Sequence, residues 1–334
     1  MSVGFISNIS KDKGAGHFYR CLALSKIFEK KKKIIFHSSD INNLSLSNDY
    51  KIIKIKKNTL STILKSIENY KIKIIIIDDY KLSYKIETIL KKKVDLLVVI
   101  DDFYNRKHNC DILINYNDLN SKQKKIIKFN NKRSSLALGL KYLIIDKKIL
   151  QLSKFIKVKK KIKNILVFFG SADHTNEIKK LVHLIKLNKD INFNIVLNKM
   201  NQRYKNIKEM YKKQKNAKIY SNCTREKFID LMAKNDLGIG AGGTNLYERI
   251  FLGLPSLVVQ TSENQDSNIK YANKKKLIID LGSHSKLNSN VYINKFNDLL
   301  KNKKLFTQLS NNCLKYNKLN SLNNLANLFN LNIG

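Results

Sequence analysis

The chain has 334 residues, of which 43% are hydrophobic and 27% are charged, and its formal net charge is +38. This composition is normal for a folded globular protein and excludes a largely disordered chain, and the length is sufficient for two domains of ordinary size. No apolar run approaches the roughly 18 residues that predict a membrane span. The N-terminus also lacks the basic-then-apolar layout of a signal peptide, so we expect a cytoplasmic protein.

Lysine supplies most of the positive charge and is spread along the chain rather than gathered in one patch. We interpret it as a solvated surface with no specific partner, with weak attraction to acidic ligands or anionic lipids as the alternative. No zinc-finger or aromatic RNP signature accompanies the lysine runs, so a nucleic-acid partner is not expected. The four cysteines form no C-x-x-C pair and the histidines form no i,i+4 pair, which predicts neither disulfides nor a metal site.

Strands that alternate with helices of about ten residues fill the first half of the chain and predict an open parallel α/β sheet. A continuous β-branched run at residues 74–77 is typical of a strand that is buried on both faces. Residues 135–143 are predicted to form a loop that carries Gly139. The other predicted strands of this half are residues 3–6, 33–37, 51–56, 96–100 and 111–115, and its predicted helices include residues 59–70 and 83–92.

A lysine-rich, glycine-free stretch at residues 155–163 separates two similar patterns, and we place the domain boundary there. The predicted N-terminal domain is residues 1–155 and the predicted C-terminal domain is residues 160–334. The helical, Leu/Asn-rich tail at residues 291–332 can cross back to the first domain. In folds of this kind, ligands bind outside the carboxyl ends of the strands, where this chain carries its glycine and acid clusters.

The first candidate site is the turn Gly14-Ala15-Gly16-His17, where a strand, a glycine turn and the start of a helix meet. The two glycines let the backbone approach a ligand closely, and free N–H groups at the start of a helix favour an anion such as phosphate. His17 adds a side chain that can accept a proton near neutral pH. The spacing is not G-x-G-x-x-G, so a dinucleotide site is not predicted. The alternative is a helix-start histidine that only bonds the backbone.

The second candidate site is a glycine turn at residues 240–244, followed by Glu248. Glycines after a strand leave bare N–H groups that can hold a diphosphate. Glu248 lies one helical turn beyond Thr244 and can accept hydrogen bonds from ribose hydroxyls. The alternative makes Gly242 and Gly243 turn formers and Glu248 a charge that the helix dipole favours.

Polar residues at the ends of other strands are further candidates. Tyr80 follows Asp78 and Asp79 at the end of the β-branched strand, and its hydroxyl can reach a ligand at that edge. Asn264 lies in the loop after a strand predicted at residues 256–260. Polar residues at such positions are also common as caps and turn formers.

The run from Gly14 to Arg20, G-A-G-H-F-Y-R, resembles the G-x-G-H-x-x-R motif of the UDP-2,4-diacetamido-2,4,6-trideoxy-β-L-altropyranose hydrolases of pseudaminic acid biosynthesis. That family is similar in architecture to the GT-B glycosyltransferases that make the lipid-linked peptidoglycan precursor. The resemblance therefore implies an α/β GT-B fold, with two Rossmann-like domains that face each other across a cleft and UDP bound by the C-terminal domain. The other matching segments are residues 76–80, 101–102, 110–115, 168–173, 240–248, 253–255 and 264–265.

The resemblance implies hydrolysis of a UDP-linked diacetamido-trideoxyhexose without a metal or a cofactor. Water attacks the anomeric carbon, UDP leaves and the sugar inverts, and UDP is a good leaving group that needs no general acid. His17 matches the family's proton acceptor, and Tyr80 and Asn264 match its sugar-side catalytic residues. The positions that match its substrate-binding residues are Gly14, Gly16, Arg20, Gly170, Ser171, Gly242, Gly243, Thr244 and Glu248.

Two other functions stay open at this level. A glycosyltransferase of the same fold would use an acceptor hydroxyl in place of water. A non-catalytic protein would bind a nucleotide sugar or the membrane surface. In the favoured interpretation the partner is a UDP-sugar, no stable membrane insertion is expected, and His17 and Glu248 are expected to face a shared gap.

Overall fold

The computed structural model describes residues 2–7, 16–28, 33–38, 50–54, 59–170, 173–199, 201–221 and 223–333. The chain divides into two compact units, Met1–Asp146 with Leu319–Gly334, and Lys147–Lys318. Each unit is built on a sheet of parallel strands, with helices in connections between the strands. No helix within the described ranges is long and apolar enough to cross a membrane.

The first unit contains a seven-stranded parallel sheet within the described residues. Its strands are β1 (Ser2–Ser7), β2 (Lys33–Ser38), β3 (Tyr50–Lys54), β4 (Ile72–Asp78), β5 (Leu96–Ile100), β6 (Ile112–Asn115) and β7 (Ser135–Leu138). They lie in the order β3-β2-β1-β4-β5-β6-β7. Its helices are α1 (Gly16–Ser25), α2 (Leu60–Tyr70), α3 (Tyr84–Lys91) and α4 (Ser121–Asn130), together with the last helix of the chain, Ser321–Ile333.

The apolar sequence of the central strands explains their place in the sheet. Residues 74–77 of β4 and 96–100 of β5 are all buried, which confirms the predicted strand that is buried on both faces. α2 begins after Thr59 and α4 after Asn120, and in each case the side chain before the helix accepts from the N–H three residues on. Lys71 ends α2 in the left-handed conformation, and β4 begins at the next residue.

The second unit contains a six-stranded parallel sheet within the described residues, in the order β10-β9-β8-β11-β12-β13 once its strands are numbered along the chain. The strands are β8 (Asn164–Phe168), β9 (Asn192–Val196), β10 (Ala217–Tyr220), β11 (Leu237–Ala241), β12 (Ser256–Gln260) and β13 (Ile278–Ser283). The helices are α5 (Lys147–Ser153), α6 (Glu177–Lys180), α7 (Val182–Leu187), α8 (Tyr204–Tyr211), α9 (Arg225–Lys234), α10 (Asn245–Phe251), α11 (Asp266–Lys274), α12 (Ser289–Lys301) and α13 (Lys303–Leu314), so the last helix of the chain is α14.

The division between the units lies at residues 146 and 147, ahead of the lysine-rich stretch at which the sequence places the boundary. α5 belongs to the second unit because it packs against α9 and α10, and Lys148 forms an ion pair with Asp230 of α9 at 2.8 Å. α14 belongs to the first unit, where the rings of Phe329 and Phe28 have centroids 5.3 Å apart. This division depends on contacts between segments that are distant in the sequence. The amino-acid composition along the chain does not indicate it.

The prediction that residues 135–143 form a loop is wrong in its first part. Residues 135–138 form β7, which pairs in parallel with β6 at the edge of the sheet. Ala137 of this strand is fully buried. Gly139 follows with a φ of +84° and ends the strand.

We expect Gly253→Ala to lower the free energy of unfolding more than Gly282→Ala does. Both glycines have positive φ, +59° and +89°. An alanine held at such a positive φ lowers the free energy of unfolding by about 1–2 kcal/mol. At Gly253 the added Cβ would also lie 2.6 Å from Leu314 Cδ2, whereas at Gly282 it would meet no described heavy atom within 4 Å. We therefore expect Gly253→Ala to cost a further ~1–3 kcal/mol in urea unfolding followed by circular dichroism. Equal losses in the two variants would contradict the steric cause.

Candidate active site

The candidate site of the first unit lies at the carboxyl edge of its sheet, where three neighbouring strands end. Asp78 is the last residue of β4, Asp102 follows β5 and Tyr116 follows β6. Because these strands are parallel neighbours, their carboxyl ends lie side by side. α1 follows β1, which also pairs with β4, and it presents His17 and Arg20 to this edge from positions three residues apart.

Arg20 is the centre of the polar network at this edge. Its Nε and Nη2 donate to the two carboxylate oxygens of Asp78 at 2.7 and 2.5 Å. Its Nη1 donates to the Asp102 carboxylate at 2.8 and 3.0 Å and to the Tyr116 hydroxyl at 2.8 Å. The side chain of Arg20 is 1% exposed. Arg20 is predicted to contact substrate, whereas in the structure its nitrogens are directed at protein side chains.

Burial makes the charges of this network depend on one another. Burial by itself raises the pKa of Asp78, but Arg20 and His17 beside it lower the value to about 2. Burial likewise lowers the pKa of Arg20, and the Asp102 and Asp78 carboxylates raise it well above its ordinary value. The guanidinium and the Asp78 carboxylate are therefore both ionised at neutral pH.

The His17 ring is held by Asp78 through one nitrogen. Nδ1 lies 2.7 Å from Asp78 Oδ1, and Nε2 has no hydrogen-bond partner among the described residues. Burial lowers the pKa of His17, but the Asp78 carboxylate raises it by more, so the pKa lies above 6.5. When the neutral ring donates Nδ1–H to Asp78, its lone pair lies on Nε2. This is the arrangement of a general base that a carboxylate orients.

Tyr80 packs edge-on against His17, with ring centroids 4.9 Å apart. Its hydroxyl donates to the Asp102 carboxylate, and burial together with that carboxylate raises the pKa of Tyr80. The phenol therefore stays protonated at neutral pH and acts as a donor. Because Asp102 also binds Arg20, one network holds both His17 and Tyr80 in place.

A second buried network adjoins the first at the end of β5. Both ring nitrogens of His108 face carboxylates, with Nδ1 2.9 Å from Glu87 and Nε2 2.8 Å from Asp101. Arg106 lies 3.1 Å from Asp101 and donates to the backbone carbonyl of Tyr80. Burial lowers the pKa of His108, but the hydrogen bonds to Asp101 and Glu87 raise it to about 9, so the ring is a cation at neutral pH. His108 has no predicted role, because nothing near it in the sequence marks it.

The candidate site of the second unit is the glycine turn after β11. The N–H of Gly242 is shared between the Val259 carbonyl and Gln265 Oε1, each at 3.2 Å. The expectation of a bare N–H group is therefore wrong for Gly242. The N–H groups of Gly243 and Thr244 have no acceptor among the described residues. These two groups can bind an anion.

Glu248 is held by Arg225, the first residue of α9. Nη1 of Arg225 donates to Glu248 Oε2 at 3.1 Å, and Nη2 donates to Oε1. Asn245 Nδ2 donates to Glu248 Oε2 at 2.7 Å. A carboxylate has about four lone-pair sites, so Glu248 can still accept from a ligand. Its contact with ribose stays a prediction.

The other predicted site residues divide between the units. Gly16 is the first residue of α1. Gly170 follows β8 with a φ of +86°, and β8 is the neighbour of β11 in the second unit. Asn264 accepts from a serine hydroxyl at 2.7 Å in the turn after β12, and it is the next residue, Gln265, that contacts the glycine turn. The two that lie outside the described residues are Gly14 and Ser171.

Several residues that organise these sites have no role predicted for them from the sequence. Asp102 and Tyr116 hold Arg20, and both lie just after apolar strands, with Asp102 also in the matching segment at residues 101–102. Gln265 lies in the matching segment at residues 264–265, of which only Asn264 is predicted as a site residue, and Arg225 lies in no pattern that separates it from other polar residues. In the described part of the chain, no group of three or more His, Cys, Asp or Glu side chains is arranged to hold a metal ion.

Solved structures with the same fold cover nearly the whole chain. MurG of Acinetobacter baumannii matches with a TM-score of 0.62 and 14% identity, over 99% of this chain and 100% of that one. The UDP-GlcNAc 2-epimerase of Neisseria meningitidis, solved with UDP-GlcNAc bound, matches with a TM-score of 0.67 and 14% identity, over 99% and 100%. The prediction of a GT-B fold with two parallel-sheet α/β domains is confirmed.

Three curated relatives match most of the chain. An uncharacterized protein of Methanocaldococcus jannaschii is 32% identical over 79% of this chain, which spans only 57% of that protein's length. The spore coat polysaccharide biosynthesis protein SpsG of Bacillus subtilis is 25% identical over 84% of each chain. The UDP-2,4-diacetamido-2,4,6-trideoxy-beta-L-altropyranose hydrolase of Campylobacter jejuni is 22% identical over 82% of this chain and 97% of its own.

A family model described as "Protein of unknown function (DUF354)" matches residues 123–309, which is more than half of the chain. The chain belongs to this family. The description of the family names no activity.

We expect Arg20→Ala to lower the free energy of unfolding by about 3–5 kcal/mol, because it leaves the buried Asp78 carboxylate without its cation. The matched control is Arg133→Ala, at an exposed position of the same unit, for which a change within ~0.5 kcal/mol is expected. Chemical unfolding measures both. A loss in Arg20→Ala no larger than in the control would contradict the importance of the network.

We expect the stabilisation by His108 to depend on pH. Its pKa is about 9 in the folded protein against 6.5 as the ordinary value, so the contribution is complete below pH 6.5 and is lost as the pH rises through 9. The shift corresponds to at most ~3 kcal/mol. The free energy of unfolding of His108→Gln should therefore fall furthest below that of the wild type at about pH 6, and the two should converge toward alkaline pH. If urea unfolding shows that the difference in free energy of unfolding between the wild type and His108→Gln grows with pH, a stabilising imidazolium at His108 is excluded.

Proposed function

We propose that the protein is an enzyme that hydrolyses a UDP-sugar to UDP and the free sugar, with inversion at the anomeric carbon. The observation that carries the proposal is the pair of His17 and Asp78, in which Nδ1 is bonded and Nε2 is left to take a proton. The names of two relatives support a role in sugar chemistry, one a hydrolase of a UDP-linked sugar and the other a polysaccharide biosynthesis protein.

His17 acts as the general base in this proposal. Nε2 takes a proton from water as the water oxygen attacks the anomeric carbon, and the bond from that carbon to the diphosphate oxygen breaks. UDP leaves with the bonding electron pair, and the proton stays on the imidazole. The Asp78 carboxylate stabilises the imidazolium that forms, which is consistent with the raised pKa of His17.

The second unit binds the nucleotide in this proposal. The N–H groups of Gly243 and Thr244 have no acceptor among the described residues, and they would stabilise charge as it develops on the departing diphosphate. Glu248 would accept from the ribose hydroxyls, held in place by Arg225. Gly170, with a φ of +86°, lies just beyond β8, the strand next to β11.

The proposed substrate is a UDP-linked diacetamido-trideoxyhexose, which places the reaction in the biosynthesis of a nonulosonic acid such as pseudaminic acid. The support is the ordered set of motifs together with the 22% identity to the C. jejuni hydrolase over 97% of that protein. Tyr80 and Asn264 would then contact the sugar. The Tyr80 ring packs against His17 and its hydroxyl proton is donated to Asp102, so the hydroxyl oxygen can accept a hydrogen bond from a sugar hydroxyl or amide N–H.

A glycosyltransferase is the second candidate, because the base that the His17–Asp78 pair provides could act on an acceptor hydroxyl as well as on water. In that case Nε2 of His17 would deprotonate an acceptor hydroxyl in place of water. The same base, the same leaving group and the same inversion would apply. The two reactions differ only in the nucleophile.

The test is release of UDP from UDP-linked diacetamido-trideoxyhexoses without any acceptor. We expect His17→Ala to lower kcat by about 10²–10⁴-fold, because general-base catalysis contributes that much. Exposed His183, in the second unit, provides the matched control His183→Ala, which should keep wild-type activity.

For the wild type, kcat/KM should rise with pH through a pKa above 6.5, since the base must be neutral. In water enriched in heavy oxygen, the label should enter the sugar and not UDP.

Three results would contradict the proposal that the protein hydrolyses a UDP-sugar at the anomeric carbon with His17 as the base. Label in UDP would place the attack at phosphorus. Release of UDP only after an acceptor is added would favour the glycosyltransferase. Full activity in His17→Ala would exclude His17 as the base in either reaction.

A further inference from the structure

Arg249 is a buried arginine that forms no ion pair or hydrogen bond with a carboxylate among the described residues. The residue is 1% exposed, and Nη2 donates to the Ala241 carbonyl at 2.7 Å. Nε has no hydrogen-bond partner in the described part of the chain. The neighbouring carboxylate, Glu248, is engaged by Arg225. A guanidinium carries five N–H donors, so most of those on Arg249 have no acceptor within the described ranges.

Two glycines of β11 make the space through which Arg249 reaches the end of the strand. A Cβ at Gly238 would lie 3.1 Å from Arg249 Cδ, and a Cβ at Gly240 would lie 2.5 Å from Nη1. Leu237 and Ile239 alternate with these glycines and fill the core on the opposite face. Glycine weakens the interior of a strand, so the strand gives up packing on one face to admit a cation.

Packing alone does not account for a charged group at this position. Burial lowers the pKa of Arg249 to about 10, although the nearby Glu248 carboxylate raises it, so the guanidinium is still charged at neutral pH. A buried charge without a directly bonded carboxylate is unfavourable, and an apolar side chain of similar length would fill the same space without that penalty. We therefore expect the positive charge of Arg249 to have a function, such as attracting an anionic ligand.

The guanidinium lies at the carboxyl end of β11, directly before the glycine turn. Parallel α/β sheets bind ligands at this edge. Gly243 and Thr244, whose N–H groups have no acceptor among the described residues, follow Ala241 within three positions. A buried positive charge and free N–H groups favour the same kind of ligand, a group that carries more than one negative charge.

We propose that Arg249 supplies a buried positive charge that selects a diphosphate group at the glycine turn after β11. The inference rests on the proposed function in one respect, which is that the diphosphate belongs to a UDP-sugar. Arg249 acts on the ligand through its electrostatic field and needs no direct contact, so its contribution increases with the charge of the ligand. The bound anion in turn adds negative charge near Arg249, which has no directly bonded carboxylate among the described residues.

The test compares the binding of UDP, UMP and uridine to the wild type and to Arg249→Met by isothermal titration calorimetry. Methionine keeps the length of the side chain and removes the charge. We expect the affinity for UDP to fall about tenfold, which is ~1.4 kcal/mol, and the affinity for uridine to change less than about twofold, with UMP between them. Lys186→Met removes one charge from an exposed position of the same unit and should bind all three ligands as the wild type does.

Two further variants keep the test decisive. Arg249→Lys retains the charge and should retain most of the preference for UDP over uridine. Without ligand, Arg249→Met should unfold at a urea concentration no lower than the wild type, because it removes an unpaired buried charge. If Arg249→Met does not fold, Arg249→Gln is titrated in the same way, since its neutral amide can still donate to the Ala241 carbonyl.

The possible outcomes separate this inference from the proposed function. Equal affinity for UDP in the wild type and Arg249→Met would overturn the inference and leave the proposed function standing. An equal loss for all three ligands would also overturn it, because that result would indicate a distorted turn. If the wild type binds inorganic pyrophosphate but not UDP, and Arg249→Met loses the pyrophosphate, the inference stands and the proposed function fails.

Discussion

The buried ion pair between Arg20 and Asp78 is the interaction on which the polar edge of the first unit depends. Burying an arginine in an apolar interior is costly when its donors are unsatisfied, and Asp78, Asp102 and Tyr116 satisfy those of Arg20. By doing so they connect the ends of three strands to the start of α1. His17 takes both its orientation and its raised pKa from the same Asp78 carboxylate. The chemistry proposed for His17 is therefore inseparable from the folding of this unit.

The second unit contains a buried arginine, Arg249, whose side chain is not bonded to a carboxylate among the described residues. Arg20 meets two carboxylates and a phenol, whereas Arg249 meets one backbone carbonyl among the described residues. The acid beside it in the chain, Glu248, is turned to Arg225. Paired charges in the interior hold a structure together, while an unpaired one makes a position receptive to an anion. The two units thus use the same residue type for rigidity in one case and for ligand charge in the other.

The fold by itself leaves the reaction undecided. The same architecture occurs in MurG and in an epimerase at 14% identity, and shared architecture at that level carries no chemistry. The proposed chemistry rests instead on which atom of His17 is left to react and on what stands beside it. A water molecule and an acceptor hydroxyl would need the same base. The same fold and the same His17 could therefore support either hydrolysis or transfer.

The sequence by itself determined the alternation of strands and helices, the burial of β4 and the glycine turns, because hydrophobic period and glycine placement are local properties of a chain. It also singled out His17 as a base. It left open what holds His17, since Asp78 lies 61 residues away and reaches it only when β4 pairs with β1. The partners of Arg20 are more distant still, with Asp102 82 residues away and Tyr116 96. The division into units was decided in the same way, by the packing of α5 and α14. Ion pairs between strand ends exist only after the sheet has assembled, so the tertiary structure alone decided which polar residues meet.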